Sequence, residues 1–289
     1  MEPVRIAIIG GSGLYHMPEF TDAVEHDIDT PFGPPSDAVV IGNLRGQRVA
    51  FLSRHRRGHV LTPSEVPYRA NIYALKTLGV THVISVSACG SLREALEPGH
   101  VVIPDQLVDM TKDERGRSFF GGGIVAHIGV ADPFCPTMAH IASEASTAIG
   151  TTVHEGGTLV TVEGPRFSTK GESQIWQRLG CDIIGMTTSP EAFLAREAEM
   201  HYAVITHVTD YDVWHSEPVT ADAVFQQFSK NIMLAQHSVA ETVERIATTK
   251  FTCGCDSALA SAFSTNRDHV SPEVRQRLEP IIGKYFEGK

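Results

Sequence analysis

The stretch VRIAIIGGSG, residues 4–13, is the strongest indicator of the fold. Its first part is an almost continuous apolar run, which is typical of a strand buried on both faces of a parallel sheet. It leads directly into the glycine-rich turn Gly11-Ser12-Gly13. In an open α/β sheet ligands bind beyond the carboxyl ends of the strands, so this turn marks a candidate ligand site.

The same arrangement of apolar run and polar motif recurs along the chain. The further predicted strands and the motifs that follow them are 48–53 before Arg54-His55, 81–87 before Ala88-Cys89-Gly90, 157–164 before Pro165-Arg166-Phe167, 181–185 before Met186-Thr187-Thr188, and 202–209 before Asp210-Tyr211-Asp212. Helical patterns alternate with these strands, which predicts an α/β fold: a single domain with a twisted, mixed, largely parallel β-sheet flanked by helices. The strand ends together predict one shared site for a small polar ligand.

The organisation of the chain predicts one main domain with a C-terminal helical appendage. We expect residues 1–248 to form the domain, and residues 249–289, a C-x-C turn followed by helices, to pack on it as a tail. Segment 111–130 is glycine-rich and polar, which predicts a long loop or lid. The predicted helices cover 66–79, 138–150, 189–200 and about 221–248.

The charge balance narrows the classes of partner. The net charge of -10, with no basic block to offset it, argues against nucleic acid as the main partner. No apolar run approaches the length of a membrane span, and the start of the chain does not have the pattern of a secretory signal. We therefore expect a cytoplasmic protein without a membrane partner. An anionic substrate would need a local basic cluster, which residues 54–59 supply.

The five cysteines fall into two groups. Cys89, Cys135 and Cys181 are predicted to be ordinary core or loop residues, because a buried free cysteine usually behaves as a small hydrophobe. Cys253 and Cys255 form a C-x-C pair, which is too close for ordinary disulfide architecture. We interpret it as a structural or redox-labile pair. The alternative is two ligands of an incomplete metal site, although no C-x-x-C lies nearby to complete it.

The glycine-rich turn favours a nest of backbone amides for a phosphate. A dinucleotide fingerprint would need glycine where His16 stands, and the Walker A lysine is missing. A plain tight turn is the remaining alternative. The other strand ends add groups that bind phosphate, namely a guanidinium, an imidazole, hydroxyls and backbone amides. These residues are Arg54, His55, Ser87, Ala88 and Thr187.

Two carboxylates, Asp210 and Asp212, follow the last of these strands. They could bind a metal, but no third ligand lies at a suitable spacing close by. They could instead bind a heterocycle, because a carboxyl can accept from the exocyclic amine of a purine or share a proton with N7. Protonation of N7 makes the base a better leaving group, which is general acid catalysis. Phe167 could stack on such a base, with an ordinary core position as the alternative.

Eight segments, in order, resemble the 5'-methylthioadenosine phosphorylases of the trimeric purine nucleoside phosphorylase family. They are IIGGSGL (8–14), DTPFGPPSDA (29–38), SRHRRGH (53–59), SACGSLRE (87–94), ADPFCP (131–136), VTVEGPRFST (160–169), GMTTSPEAFLAREA (185–198) and TDYDVW (209–214). The resemblance runs from about residue 4 to about residue 248. It implies the nucleoside phosphorylase fold and the conversion of methylthioadenosine and phosphate to adenine and 5-methylthioribose-1-phosphate. It implies no metal and no organic cofactor, since inorganic phosphate is a co-substrate.

The resemblance also implies a role for each matching residue. Asp210 would be the catalytic acid at purine N7, Asp212 would bind the 6-amine, and Met186 would pack under the ribose. The positions implied for phosphate are Ser12, Arg54, His55, Ser87, Ala88 and Thr187; those for the base are Phe167 and Ser168; those for an apolar 5' pocket are Ala221 and Val224. His127 would reach the 5' pocket of a neighbouring subunit, which implies a homotrimer or a dimer of trimers.

Several alternatives remain open. The nearest is a related phosphorylase that acts on methylthioinosine, inosine or guanosine, or one with broad adenosine activity. Asp210 argues against 6-oxopurines, because family members that use them typically carry asparagine there and a carboxylate would repel O6. A nucleoside-binding regulator without catalysis would not need the phosphate set, and a nicotinamide oxidoreductase lacks its third glycine. Arg56 stands where glycine is usual, and no role is assigned to it.

Overall fold

A computed structural model describes residues 3–11, 13–14, 16–112, 115–215 and 219–286. Within these residues the strands form one mixed sheet of eleven. The strands are β1 Ile6–Gly10, β2 Thr21–His26, β3 Val39–Leu44, β4 Gln47–Ser53, β5 His82–Ser91, β6 Val101–Ile103, β7 Gln106–Met110, β8 Val153–Glu155, β9 Thr158–Val162, β10 Ile183–Gly185 and β11 His201–Asp210. All the strands predicted before polar motifs are present, and the expectation of a mixed α/β sheet is confirmed.

The centre of the sheet is parallel. β1 lies between β4 and β5 and runs parallel to both, and β11 runs parallel to β5 along its length. This register places Gly10 opposite Ser53, and Cβ of Val86 lies 3.4 Å from where a Cβ on Gly10 would stand. The carboxyl ends of β1, β4 and the first part of β5 therefore meet, as the sequence predicts.

The strands β9 and β10 approach from the opposite direction. β5 continues past the end of β1 to Ser91, and β10 pairs antiparallel with this extension, Ile184 opposite Gly90. Because β10 runs back along β5, its carboxyl end arrives next to residues 88 and 89. β9 is parallel to β10 and follows the same course. The strand ends thus converge from two directions, whereas a uniformly parallel sheet would have aligned them along one edge.

The described helices flank this sheet. They are α1 Tyr68–Thr77, α2 Pro136–Ala148, α3 Lys170–Arg178, α4 Thr188–Glu197, α5 Ala221–Thr248, α6 Pro272–Arg277 and α7 Glu279–Phe286. The predicted helices correspond to α1, α2, α4 and α5. Ser189 has extended backbone, with φ -98° and ψ 135°, so the regular part of α4 begins after it. Its hydroxyl is buried and has no hydrogen-bond partner among the described residues.

Two irregular segments pack against the sheet and its helices. The segment predicted as a loop or lid is irregular but anchored, because the backbone N–H of Phe119 and the hydroxyl of Ser118 both donate to Glu197, each at 2.7 Å. In the C-terminal segment, Lys284 and the hydroxyl of Tyr285 contact the buried carboxylate of Glu199 at 2.7 and 2.6 Å. None of the helices in the described ranges combines the length and the apolar character needed to span a bilayer.

Candidate active site

A buried ion pair joins the predicted phosphate loops. Arg54, which follows β4, is 3% exposed, and Glu191 in α4 is 1% exposed. The guanidinium donates from Nε and Nη2 to the two carboxylate oxygens of Glu191 at 2.7 and 2.9 Å. The same guanidinium donates to Ser85 Oγ at 2.7 Å and to the carbonyl of Val86 at 3.1 Å. One side chain therefore ties together the end of β4, the middle of β5 and the start of α4.

The charge of Arg54 is consequently neutralised within the protein. Burial opposes the charged form, but the adjacent Glu191 carboxylate raises the pKa of Arg54 above its usual value. Nη1 has one bonding partner among the described residues, the Val86 carbonyl, so its second hydrogen remains for an anion. Glu191 is an acid in the first turn of α4. Its role as the counter-ion of Arg54 became visible only in the folded structure.

The basic cluster predicted at residues 54–59 is not a free patch of positive charge. Arg57 forms ion pairs with Glu25 and Asp37 at 2.6 and 3.0 Å. Arg56 has a positive φ of 61° and donates from Nε to the carbonyl of Ser36 at 2.8 Å. Burial lowers the pKa of His59. The segment is therefore a basic cluster in which Arg54 and Arg57 are already paired with carboxylates.

His55 is a neutral imidazole in this site. Burial, followed by the neighbouring Arg54 cation, lowers the pKa of His55 to about 4. Its Nδ1 lies 2.8 Å from the carbonyl oxygen of Leu61. A carbonyl only accepts, so Nδ1 carries the proton and Nε2 is left as an acceptor. The sequence predicts that this imidazole binds phosphate, and in the structure the ring can accept a hydrogen bond at Nε2.

The loop after β10 is held by a residue that the sequence did not single out. Arg115, 4% exposed, comes from the long irregular segment. Its Nη1 donates to the carbonyl oxygens of Met186 and Ser189 at 2.6 and 3.0 Å, and its Nη2 donates to the carbonyl of Glu163 at 2.5 Å. These bonds fix the loop that carries Thr187. An arginine in a glycine-rich loop gave no sequence signal for this role.

The loop after β9 meets the same region through Gly164. This residue has a φ of +65°, and an added Cβ would stand 2.6 Å from Sδ of Met186. Glycine is therefore required here both for the backbone conformation and for the close approach. This contact brings the start of the motif after β9 next to the motif after β10, and Phe167 and Ser168, a few residues further on, are half-buried.

The two predicted carboxylates lie together at the end of β11. One oxygen of Asp210 accepts from the hydroxyl of Thr209 at 2.7 Å, and the other accepts from the backbone N–H of Asp212 at 2.8 Å. Burial raises the pKa of Asp210, and burial also raises that of Asp212. Asp212 is 4% exposed, and its Oδ2 has no partner within the described part of the chain. These are the properties expected of acids that await a ligand.

The N-terminal half of α5 lies across the loops after β1 and β4. The ring of Phe225 meets His59 edge to face at 5.5 Å, and Cε1 of Phe228 lies 4.0 Å from where a Cβ on Gly11 would stand. Helical spacing puts Ala221 and Val224 on this same side of α5. Ala221 is exposed and Val224 is half-buried, so both have surface free for a ligand or a second subunit.

A cavity of about 270 Å³ borders Asp210 but is distinct from this arrangement. Its lining from α5 consists of Ala223, Gln226, Gln227 and Lys230, which lie on the face of the helix opposite Ala221 and Val224. Apart from Asp210 it includes none of the predicted site residues. We therefore do not assign the nucleoside to this cavity.

The remaining predicted residues are placed as follows. Ser87 and Ala88 are half-buried in β5, opposite Thr206 and His207 of β11. Thr187 is buried at the start of α4, and its hydroxyl makes no capping bond. His127 is exposed on the irregular segment, and its backbone N–H donates to the carbonyl of Ala262 in the tail at 2.8 Å. Ser12 lies outside the described residues.

Residues 5–247 match the family model of the phosphorylase superfamily. This chain belongs to the phosphorylase superfamily. Its relatives include the S-methyl-5'-thioadenosine phosphorylase of Chloroflexus aurantiacus, which is 54% identical over 99% of this chain and 100% of the relative. The S-methyl-5'-thioadenosine phosphorylase of Thermofilum pendens is 49% identical over 91% of this chain and 100% of the relative. The resemblance drawn from the motifs is confirmed.

Solved structures agree with the sequence relatives. A methylthioadenosine phosphorylase from an antarctic soil metagenomic library superposes with a TM-score of 0.94, is 48% identical, and is matched over 97% of this chain and 99% of that one. The methylthioadenosine phosphorylase of Schistosoma mansoni in complex with adenine has a TM-score of 0.86 and 38% identity, over 90% of this chain and 99% of that one. The predicted nucleoside phosphorylase fold is therefore confirmed.

Proposed function

We propose that this protein cleaves 5'-methylthioadenosine with phosphate, giving adenine and 5-methylthioribose-1-phosphate. The observation that carries the proposal is the pair of partly and fully buried carboxyls at the end of β11, Asp210 and Asp212, whose pKa values are raised by burial. The names of the relatives supply the nucleoside. The reaction is a pentosyl transfer to inorganic phosphate, and it gives no role to a metal or an organic cofactor.

Phosphate is proposed to bind where the ends of β1, β4 and β10 meet the middle of β5. Arg54 offers the remaining hydrogen on Nη1, and Thr187 offers a hydroxyl that makes no capping bond. Ser87 and the backbone of Ala88 line the same point, and Ser12 is assigned there from the motif alone. Nε2 of His55 is an acceptor, so it would bind the protonated oxygen of a hydrogen phosphate. The unprotonated oxygens are then directed towards C1'.

The sugar and the base are proposed to lie between the loops after β9, β10 and β11. Met186 would pack under the ribose, and Phe167 and Ser168 would line the base. Asp210 would donate or share a proton at N7 while Asp212 accepts from the 6-amine. As the glycosidic bond loosens, positive charge develops on the ribose, and the adjacent phosphate stabilises it electrostatically. The raised pKa of Asp210 makes its protonated form more available as the base leaves.

A homotrimer, or a dimer of trimers, is proposed as the working assembly. His127 is exposed, and the nearby Val125 and Val130 are 45% and 37% exposed, which is apolar surface that a second subunit would cover. In such an assembly His127 would complete the 5' pocket of a neighbour whose Ala221 and Val224 supply the apolar wall. Sedimentation of the purified protein tests the assembly, and a monomer would remove this role from His127.

The proposed function predicts a specific pattern of base release. We expect rapid, phosphate-dependent release of adenine from methylthioadenosine, slower release from adenosine, and little release from methylthioinosine or inosine. Each nucleoside is assayed with and without phosphate, and the released base is measured by chromatography. Reaction of only the 6-oxopurine nucleosides would overturn the assignment of Asp210. Binding without cleavage would favour a nucleoside-binding regulator.

Gly90 provides a test of how closely Asp210 must be placed. A Cβ on Gly90 would stand 3.0 Å from Oδ1 of Asp210 and 3.0 Å from Cγ2 of Ile184. We expect Gly90→Ala to lower kcat/KM for methylthioadenosine by about ten- to hundredfold, because a small misplacement of a reacting group has effects of this size. Gly171→Ala in α3 is the control, since among the described residues the nearest atom to a Cβ there is Oγ1 of Thr169, at an ordinary contact distance of 3.9 Å. Equal kinetics for the two variants would show that Asp210 tolerates displacement.

A further inference from the structure

Four potential metal ligands converge far from the phosphorylase site. They are the thiols of Cys135, Cys253 and Cys255 and the imidazole of His201, and their ligand atoms all lie within 4.8 Å of one another. Cys135, His201 and Cys255 are buried and Cys253 is half-buried. The sequence left the C-x-C pair without partners, because the residues that complete the group are 52 or more positions away in the chain.

The distances between the sulfur and nitrogen atoms of these four residues suit a tetrahedral zinc ion. With Zn–S near 2.3 Å and Zn–N near 2.0 Å, tetrahedral geometry puts sulfur atoms roughly 3.8 Å apart and sulfur and nitrogen roughly 3.5 Å apart. In the structure Sγ of Cys135 lies 3.4 Å from Sγ of Cys253 and 3.5 Å from Nδ1 of His201. Sγ of Cys253 lies 3.2 Å from the same nitrogen. All five cysteines are free, and the measured sulfur separation is far beyond a disulfide bond of about 2.05 Å.

The surroundings support a bound cation with thiolate ligands. Arg196 donates from Nη1 to Sγ of Cys255 at 3.1 Å. A divalent ion with three thiolates has a net charge of about -1, which this guanidinium offsets. The ring of His201 packs against the rings of His82, at 4.5 Å, and Phe251, at 4.6 Å, which restrict its orientation.

We propose that Cys135, His201, Cys253 and Cys255 form a structural zinc site. Binding replaces the thiol protons: Zn²⁺ forms three Zn–S bonds and one Zn–N bond, and up to three protons leave to solvent. Four protein ligands leave no open position, so the ion would have a structural and not a catalytic role. It would fasten the tail at residues 253–255 to the start of α2 and the start of β11.

The proposed zinc site lies far from the proposed catalytic residue Asp210. His201 is the first residue of β11 and Asp210 is the last. At about 3.3 Å per residue, nine steps along a strand place them roughly 30 Å apart. The inference therefore does not rest on the proposed function. Loss of the metal should affect the stability of the chain and the attachment of the tail more than the chemical step.

Metal content of the purified protein tests the proposal. The full chain is expressed without a metal-binding tag, purified under reducing conditions with added zinc, desalted, and analysed by mass spectrometry for zinc per chain. We expect about one zinc per chain in the wild type. Cys253→Ser and Cys255→Ser should each lose most of it, and Cys181→Ser should keep it, since Cys181 is a buried thiol outside the cluster.

A second measurement covers the case in which a variant folds poorly. Wild-type protein is treated with a strong chelator under reducing conditions, and its melting temperature is measured before treatment, after treatment, and after addition of Zn²⁺. We expect a fall in melting temperature that Zn²⁺ restores and Mg²⁺ does not. Protein with less than about a tenth of an equivalent of zinc and an unchanged melting temperature would overturn the proposal. So would a mass lower by two hydrogen atoms, mapped to a Cys253–Cys255 disulfide, in the protein as purified.

Discussion

Replacement of Asp210 by alanine is expected to lower kcat for methylthioadenosine by about 10²–10⁴-fold, the usual size of a general-acid contribution. The leaving adenine needs a proton at N7, and the structure places a carboxyl with a raised pKa at the end of β11. Without it, the base would leave with its negative charge uncompensated. Steady-state kinetics at saturating phosphate and variable nucleoside measure the effect. Near-normal turnover would remove Asp210 from the mechanism.

The asparagine variant separates proton donation from shape. Asp210→Asn keeps the size of the side chain, but its amide is a fixed donor that also suits O6 of a 6-oxopurine. We expect this variant to shift the ratio of kcat/KM values from methylthioadenosine towards inosine-type nucleosides. Circular dichroism and melting temperature close to those of the wild type serve as the folding control. An unchanged substrate ratio would mean that residue 210 does not contact the base.

The dependence of kcat/KM on pH shows whether the carboxyl of Asp210 acts in its protonated form. The donor is the protonated carboxyl, so kcat/KM should fall as pH rises through the raised pKa of Asp210, by up to tenfold per pH unit. The ionisation of phosphate also affects the profile, but it affects the wild type and Asp210→Asn equally. The ratio of the two profiles therefore isolates Asp210. A ratio independent of pH would contradict donation by this carboxyl.

Much of the fold was predictable because its signals are local. The buried run at 4–10 followed by glycines, and the apolar runs that became β4, β5 and β11, needed only pattern and composition. The direction of β10 was not predictable, because nothing in residues 181–185 states that they pair with an extension of β5. Strand direction is decided by which neighbour completes the sheet, and that neighbour is remote in sequence.

The candidate site also has residues that the sequence predicts and properties that depend on contacts made only in the fold. Asp210, Asp212 and Thr187 follow strands and could be selected from their chemistry and position. The charge state of His55 and the counter-ion of Arg54 could not, because they depend on contacts with Leu61 and with Glu191, a residue 137 positions away in the chain. A cluster of basic residues in the sequence predicts a positive electrostatic potential only if no acidic side chains pack against it in the fold. Here Glu25, Asp37 and Glu191 do so.

The second large effect is expected from Glu191→Ala. Removal of one partner from a buried ion pair leaves an uncompensated charge in the interior, which typically lowers the free energy of unfolding by about 3–5 kcal/mol. Arg54 would remain buried, and the hydroxyls of Ser85 and Tyr202, which donate to Glu191 at 2.9 and 2.8 Å, would lose their acceptor. Urea unfolding at matched protein concentration measures the loss.

The exposed pair between Arg57 and Glu25 is the matched control. It has the same two-bond geometry, at 2.6 and 3.0 Å, but both side chains are about half exposed. Solvent screens such a pair, so Glu25→Ala should have only a small fraction of the effect of Glu191→Ala. A double variant, Arg54→Met with Glu191→Leu, removes both charges and should recover much of the lost stability while abolishing the proposed phosphate contact of Arg54. If Glu191→Ala lowers the free energy of unfolding no more than Glu25→Ala does, the Arg54–Glu191 pair does not organise the site. If the double variant recovers stability but not turnover, the role of the pair in stability is separate from the role of Arg54 in binding phosphate.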